Sequence, residues 1–448
     1  MGTSLYPMSS QGQLKSLYVG RSLTDIPAPA AVVDLAKVRH NCKLMLNAVE
    51  KLGLSFRAHV KTHKTSEITQ LQVGRHSRDV RLVVSTVIEA EKLVPLLKTY
   101  QERGAEVNVL YGVPIGLSRV ERLASVAKEL GPGSVAFMLD HTDQLAAATM
   151  FKSKAGFPVS IFIKADSGYH RAGLLPFSPE MTELVKQTSN ADANGEVELL
   201  GFYSHNSLSY GGSSPDEAMD MLQAEINACH EASKNVTRDV GRKLVLSMGA
   251  SPTALSVQNL LQPTSAESPT AKSLKALLKQ VSSDLELEIH AGVYPLFDLQ
   301  QVGASSRSVD TDPHDLIAIS VLAEVCSLYP TRTERPEALV AAGGLALARE
   351  PCKSYSGWGV VSPWEMPESY NHRGRERIIV SRISQEHGIL ARETDDETPL
   401  PLGYGQTIRV WPNHACITMA MYGWYFIVDS ANADPNKIVD VYARWRGW

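Results

Sequence analysis

Two lysines stand at the ends of short β-rich runs, each among residues that could make it reactive. In "RAHVKTHK" (57–64) Lys61 lies between His59 and His63, and in "IFIKADSGYHRAG" (161–173) Lys164 precedes Asp166, His170 and Arg171. A lysine amine among apolar or cationic neighbours has a depressed pKa and can form a Schiff base with an aldehyde. His59 and His63 are four residues apart, a spacing that would place two zinc ligands on one face of a helix. However, "SFRAHVK" alternates as a strand, so Ser55, Arg57, His59 and Lys61 share one face and Phe56, Ala58 and Val60 the other. The helical reading fails there, and these residues by themselves do not choose between the two lysines.

Further polar residues recur at the same kind of place. "GFYSHNSLSYGG" (201–212) brings Tyr203, His205 and Tyr210, "SMGASPT" (247–253) brings Gly249, Ser251 and Thr253, and "EIHAGVYP" (288–295) brings His290, Gly292 and Tyr294. Small residues mixed with hydroxyls let backbone N–H groups approach an anion at the start of a helix, although such a loop is equally often a plain helix cap. Far along the chain, "WPNHACITM" (411–419) carries His414 and Cys416. In an extended segment these lie on the same side, about 7 Å apart, where a borderline-soft ion such as zinc could bridge them.

These residues need elements to position them. After a first extended piece, "AAVVDL" (30–35), eight β-rich runs follow: "SFRAHV", "RLVVST", "VNVLYG", "VAFMLD", "VSIFIKAD", "LLGFYSH", "LVLSMGA" and "LELEIHAG". Stretches with helical spacing of apolar residues separate them, such as "GLSRVERLASVAKEL" and "SPDEAMDMLQAEINACHEASK". Eight strands alternating with helices predict an α/β fold, an N-terminal (β/α)8 barrel over 31–303, although a doubly wound open sheet gives the same local pattern. In a barrel the C-terminal strand ends form the site, and Lys61, Asp166, Tyr203, His205, the 247–253 loop and His290 all fall there. Residues 304–448 read as a mainly β domain without a long amphipathic helix, which "AAVVDL" or the polar, extended arm 1–30 before it would partly join.

Composition narrows the function. Over 448 residues, 44 basic and 48 acidic side chains give a net charge of −4, and no basic excess argues for a nucleic-acid partner. The apolar runs are broken by charges before they reach bilayer-spanning length, and the first 25 residues lack a signal-type apolar core. Both features favour a cytoplasmic protein without membrane association. Five scattered cysteines make a poor disulfide framework.

Taken together and in order, "RAHVKTHK", "KADSGYHRAG", "GFYSH", "SMGASPTA", "EIHAGVYPLFDLQQ", "VLAEV", "SQEHG" and "PNHAC" resemble the zinc-dependent D-serine dehydratase family, pyridoxal-phosphate enzymes related to D-threonine aldolase and alanine racemase. The resemblance runs along most of the chain and implies the barrel and β domain reached above. It implies that Lys61 holds the pyridoxal aldehyde and takes the Cα proton. Cofactor contacts fall on Arg171, Tyr203, Tyr210, Gly249, Ser251, Thr253, His290, Gly292 and Tyr294, with Tyr203 also a catalytic candidate. "SHNSLSY" departs from the more usual "SHAGHSY", so Asn206 and Leu208 inherit no role. His414 and Cys416 become the zinc ligands, and cysteine at 416 favours dehydration over aldol cleavage. The implied reaction is β-elimination of D-serine to pyruvate and ammonia in a homodimer. The alternative is retro-aldol cleavage of β-hydroxy-D-amino acids to glycine and an aldehyde. A cofactor carrier without turnover, and a metal hydrolase using His59, His63 and Asp166, are the readings from other classes.

Overall fold

The computed structural model describes residues 9–263, 267–332 and 335–448. It comprises two compact units: residues up to 41 with 293–303 and 309–446, and residues 42–292 with 304–308 and 447–448. The boundaries expected at 31 and 303 therefore shift. The first strand and the segment after the last barrel strand belong with the β domain.

The second unit is a closed parallel barrel of β2 (Ser55–His59), β3 (Asp79–Val84), β4 (Glu106–Pro114), β5 (Val135–Leu139), β6 (Val159–Lys164), β7 (Val197–Ser204), β8 (Val245–Met248) and β9 (Glu286–Ala291). β9 closes onto β2 with Phe56 opposite Ile289 and Arg57 opposite His290. All eight strands fall on the eight β-rich runs, and the doubly wound alternative is excluded by this closure. Three of the connecting helices, starting at Pro179, Pro215 and Pro269, begin on serine caps. The helix Pro215–Ser233, for example, starts with proline after Ser214, whose hydroxyl accepts from Glu217 N–H.

Side chains fill the barrel interior. Val83, Leu110, Ala136, Met138, Phe162, Tyr203 and Val245 form one buried cluster. Arg57 lies over the Phe162 ring at 5.2 Å, across the barrel, while its Nε donates to Glu288 Oε1 at 2.6 Å. Both residues are essentially unexposed, and Arg81 adds a second cation at 3.0 Å from Glu288. Such a pair offsets its own desolvation only while all its partners are present.

The first unit is built on a nine-stranded sheet. Its members are β1 (Ala30–Asp34), β10 (Ile319–Tyr329), β11 (Glu337–Val340), β12 (Gly359–Val361), β13 (Ile378–Ile383), β14 (Gly388–Arg392), β15 (Thr407–Pro412), β16 (Trp424–Val428) and β17 (Asp440–Ala443), in the order β11-β14-β13-β12-β15-β10-β1-β16-β17. β1 runs antiparallel to β10 and parallel to β16, and all five of its residues are buried. That double pairing is why it belongs here and not with the barrel.

The arm is not extended. Gln11–Tyr18 is a helix whose N-cap Ser10 accepts from Gln13 N–H. Leu14 and Leu23 pack with Val32, Phe426 and Val441, and Lys15 pairs with Asp440 at 2.8 Å. Burying these side chains, together with a capped first turn, outweighs the polar character that suggested an open arm. Residues 1–8 of the expected arm lie outside the described residues.

Candidate active site

In the barrel unit, β2 ends at His59, and Lys61 sits in the turn that follows, before the helix Ser66–Val73. The expectation that Lys61 closes the strand on the face of His59 is thus corrected. The strand stops at His59, and the chain turns over with Lys64 N–H on Val60 O at 2.9 Å and Lys64 at φ +50°. His63 is fully buried, with Nδ1 3.1 Å from Thr65 Oγ1 and Nε2 2.9 Å from Gln72 Oε1. Both ring nitrogens are occupied by protein, so His63 fixes the turn and does not pair with His59 around a metal.

His59, His205 and His290 gather at the strand ends. His59 Nδ1 accepts from Lys61 N–H at 3.4 Å, and its Nε2 lies 3.3 Å from Ser85 Oγ. His205 Nδ1 bonds Gly249 O at 2.7 Å, and His290 Nδ1 meets Ser247 Oγ at 3.0 Å. All three imidazoles are held well below their ordinary pKa, first by burial and then by neighbouring cations, Lys61 for His59 and His205 and Lys164 for His290. They are neutral at physiological pH. Tyr203 stacks on His290 with centroids 4.1 Å apart and planes 7° from parallel, and the His205 and His290 ring centroids are 6.0 Å apart.

Positive charge in the mouth therefore resides on lysine and arginine. Lys164, at the end of β6, is buried with Nζ 4.8 Å from the Tyr203 ring centroid. Burial and then Arg171 lower its pKa to about 8. Arg171 reaches Ser207 Oγ at 3.4 Å and is exposed. Asp166, by contrast, serves its own loop. It accepts from Gly168 N–H and His170 N–H, and lies 2.7 Å from His170 Nδ1. Tyr210 lies in the short 3-10 turn Ser207–Gly211.

The loops after β8 and β9 pack tightly. Gly249 has φ +147°, and a Cβ there would lie 2.3 Å from His290 O; at Gly292 a Cβ would come within 3.3 Å of His59 Cβ. Only glycine fits the first of these positions. Ser251 opens the short helix Ser251–Ser256. Thr253 Oγ1 accepts from Ala250 N–H at 2.7 Å and donates back to Ala250 O, so this hydroxyl caps the helix. Tyr294 is buried in the other unit.

Glu225, a residue not singled out from the sequence, ties these loops together from the helix Pro215–Ser233. It accepts from Asn206 N–H at 2.6 Å. Burial raises its pKa to about 7 against the opposing influence of the Thr253 hydroxyl and the N–H groups of Asn206 and Gly249. Asn206, inherited from no motif, thereby acquires a structural role.

In the β unit, His414 and Cys416 do not lie on an extended run. His414 is the extended residue that caps the short helix Ala415–Ala420, so Cys416 falls in the first helical turn. Pro412 ends β15 and Asn413 fixes the turn, with its Oδ1 held by Tyr355 and its Nδ2 donating to Glu350 O at 2.9 Å and Gly357 O at 2.8 Å. Although burial acts to lower it, His414 is raised to about 9 by Cys416, to which it hydrogen-bonds, and by Asp298 and Glu350. Asp298 Oδ2 accepts from Ala415 N–H at 2.8 Å. His414 Nδ1 lies 3.4 Å from Glu350 Oε2 and the imidazole hydrogen-bonds Cys416, a histidine–thiol pair of the kind a borderline-soft dication takes.

A second cluster went unnoticed in the sequence. Ligand atoms of Asp312, His314 and His372 lie within 4.8 Å of one another. This grouping can hold a metal, but Asp312 already accepts from His314 at 2.7 Å, His372 at 3.0 Å and Arg373 Nε at 2.6 Å. The guanidinium on the carboxylate repels a dication. "TDPH" and "NHR" each look like turns, and their 60-residue separation hid the cluster.

The barrel mouth fits a phosphorylated pyridine aldehyde. It offers an amine, the cations Lys164 and Arg171 in no ion pair among the described residues, a flat Tyr203–His290 surface, a close-packed glycine loop and a buried His290 Nε2 that bonds no described residue. Fold and site thus define the alanine racemase class of barrel, and the "Alanine racemase, N-terminal domain" model matches residues 33–264. The "Putative serine dehydratase domain" model matches 318–428. The chain is 38% identical to D-serine dehydratase of Schizosaccharomyces pombe (97% of this chain, 95% of the relative) and 34% identical to that of Saccharomyces cerevisiae (97% and 99%). A solved cysteine-to-alanine variant of D-threo-3-hydroxyaspartate dehydratase in the metal-free form superposes with a TM-score of 0.75 at 23% identity, covering 96% of this chain and all of the other. The chain belongs to the D-serine dehydratase family, a family of pyridoxal-phosphate-dependent lyases.

Proposed function

We propose that this protein is a cytosolic, homodimeric D-serine dehydratase that releases pyruvate and ammonia, using pyridoxal phosphate and zinc. The observation that carries the reading is the amine of Lys61 in the turn after β2, bordered by two histidines, His59 and His205, that burial and nearby cations keep neutral. Pyridoxal phosphate supplies an electron sink for the charge left at Cα when its proton departs. Lys61 Nζ holds the cofactor and moves that proton. Tyr203, Tyr210 and His290 orient the ring, while Arg171 and Lys164 keep the mouth positive. Gly249, Ser251, Gly292 and Tyr294 would hold the phosphate, with Thr253 acting through its cap on that loop. Zinc, held by His414 and Cys416, supplies a Lewis acid for the departing β-hydroxyl. The histidine–thiol pair of His414 and Cys416 supports that choice over Asp312, His314 and His372.

The test is product analysis on D-serine. Pyruvate and ammonia in equal amounts are expected, and glycine plus an aldehyde from β-hydroxy-D-amino acids would refute elimination. Lys61→Ala should abolish both turnover and the visible absorption of the cofactor. Retention of both would transfer the anchor to Lys164. Chelation should stop turnover and zinc restore it.

A further inference from the structure

In the β unit lies a cavity of about 270 Å³, lined by Asp34, Lys37, Ser362, Trp364, Arg409 and Trp411, among others. It shares no residue with the barrel mouth or with the group around His414. The cavity brings together charges of both signs that do not satisfy each other. Among the described residues Lys37 Nζ has neither a hydrogen bond nor an ion pair. Arg409 spends only Nε, on Ser320 Oγ at 2.9 Å, with its guanidinium 5.6 Å from the Trp364 ring centroid, and its two terminal nitrogens have no acceptor among the described residues. Asp34 receives Ala36 N–H at 3.1 Å and Ser430 N–H at 3.2 Å on the same oxygen, Oδ1. Its Oδ2 accepts from no described residue and lies beyond ion-pair distance from either cation.

Isolated charges at a half-buried site are expensive unless something completes them. Burial lowers both cations, Lys37 against the pull of Asp34, and more weakly of Asp315 and Asp312, and with the push of Arg409, and Arg409 to about 10. What would complete all three groups is a ligand with a carboxylate for Lys37 and Arg409 and an ammonium for Asp34 Oδ2. Ser362 adds a hydroxyl to the lining, and Trp364 and Trp411 give flat walls for a short side chain. The volume sits just below the usual range for small-molecule pockets, which restricts the ligand to a few heavy atoms.

We propose that this cavity is a binding site for a small zwitterionic α-amino acid, separate from the catalytic centre. The charged groups of the site are Asp34, Lys37 and Arg409, all within the β unit.

The test is a tryptophan-fluorescence titration of the holoenzyme with glycine, L-alanine and L-serine, with acetate and ethylamine as single-charge controls. A saturable change is expected with the amino acids and not with the controls. Lys37→Gln should weaken it at least tenfold without altering turnover of D-serine, and Trp364→Phe should remove most of the signal. No saturable response in the wild type, an equal response in Lys37→Gln, or acetate binding as tightly as the amino acids would each overturn the proposal. Thermal unfolding of Lys37→Gln guards against misfolding. With no hydrogen bond or ion pair to lose among the described residues, its melting temperature should match the wild type, and a clearly lower one would show that Lys37 is already satisfied and would also overturn the proposal.

Discussion

Glu225→Gln tests whether a buried carboxyl holds the loops of the barrel mouth in its neutral form. The folded protein keeps this group at about 7, against an ordinary value of 4.5. Below pH 4.5 it is protonated in both the folded and unfolded chain and has no pH-dependent effect. As the pH rises from 4.5 to about 7 the unfolded chain releases the proton while the folded chain retains it, so stability falls; above 7 the loss is complete. The gap between 4.5 and about 7 corresponds to about 3 kcal/mol, as an upper figure. Glutamine keeps the acceptor for Asn206 N–H and has no proton to lose. Its stability relative to wild type should therefore rise by up to about 3 kcal/mol between pH 4.5 and about 8 and then level off. Urea unfolding of both proteins at a series of closely spaced pH values, followed by tryptophan fluorescence, reads this directly. The slope is the test, because any local cost of the amide is independent of pH. A difference that stays flat, or grows toward acid, refutes the reasoning.

Other perturbations have separate readouts. Glu288→Gln leaves Arg57 buried without its anion and should cost about 3–5 kcal/mol in urea unfolding. Gly249→Ala forces a Cβ into His290 O at a left-handed φ, and should lower cofactor content after dialysis, measured by visible absorbance, more than it lowers the melting temperature. Asn413→Ala removes the three bonds that fix the turn before His414 and should weaken zinc retention about 10–100-fold, measured by metal analysis against a competing chelator. His63→Asn should destabilise the protein yet leave its zinc content unchanged, because both ring nitrogens of His63 already bond protein.

The barrel was legible because strand alternation and helical spacing are local signals, and all eight strands fell where those signals placed them. β1 could be offered to the β domain but not fixed there, because its partners lie at 319–322 and 426–428 and nothing local distinguishes the two sheets. Glu225 left a readable trace: in its helix the buried positions 218, 222, 225 and 229 form one stripe, and an acid on an apolar stripe is a signal in itself. Asp298 left none, since its bond to Ala415 N–H spans 117 residues. Pro412 and Asn413 before His414 are turn formers, but nothing in them tells that a helix begins one residue after that histidine.

The state of the histidines decides what chemistry the mouth can do. A hydrolase built on His59, His63 and Asp166 needs imidazoles free to bind metal or exchange protons. Here His63 is saturated, Asp166 is spent on its own loop and His59 is held neutral between Lys61 N–H and Ser85. The histidines therefore move no proton near neutral pH, where the groups of the mouth that change charge are Glu225 at about 7 and Lys164 at about 8. Raising the pH through about 8 removes the Lys164 cation from the mouth. Binding of an anionic cofactor group should accordingly weaken above about pH 8 in the wild type. In Lys164→Met that pH step should vanish, which equilibrium dialysis of the cofactor would measure; a step of unchanged size would mean that another group carries it.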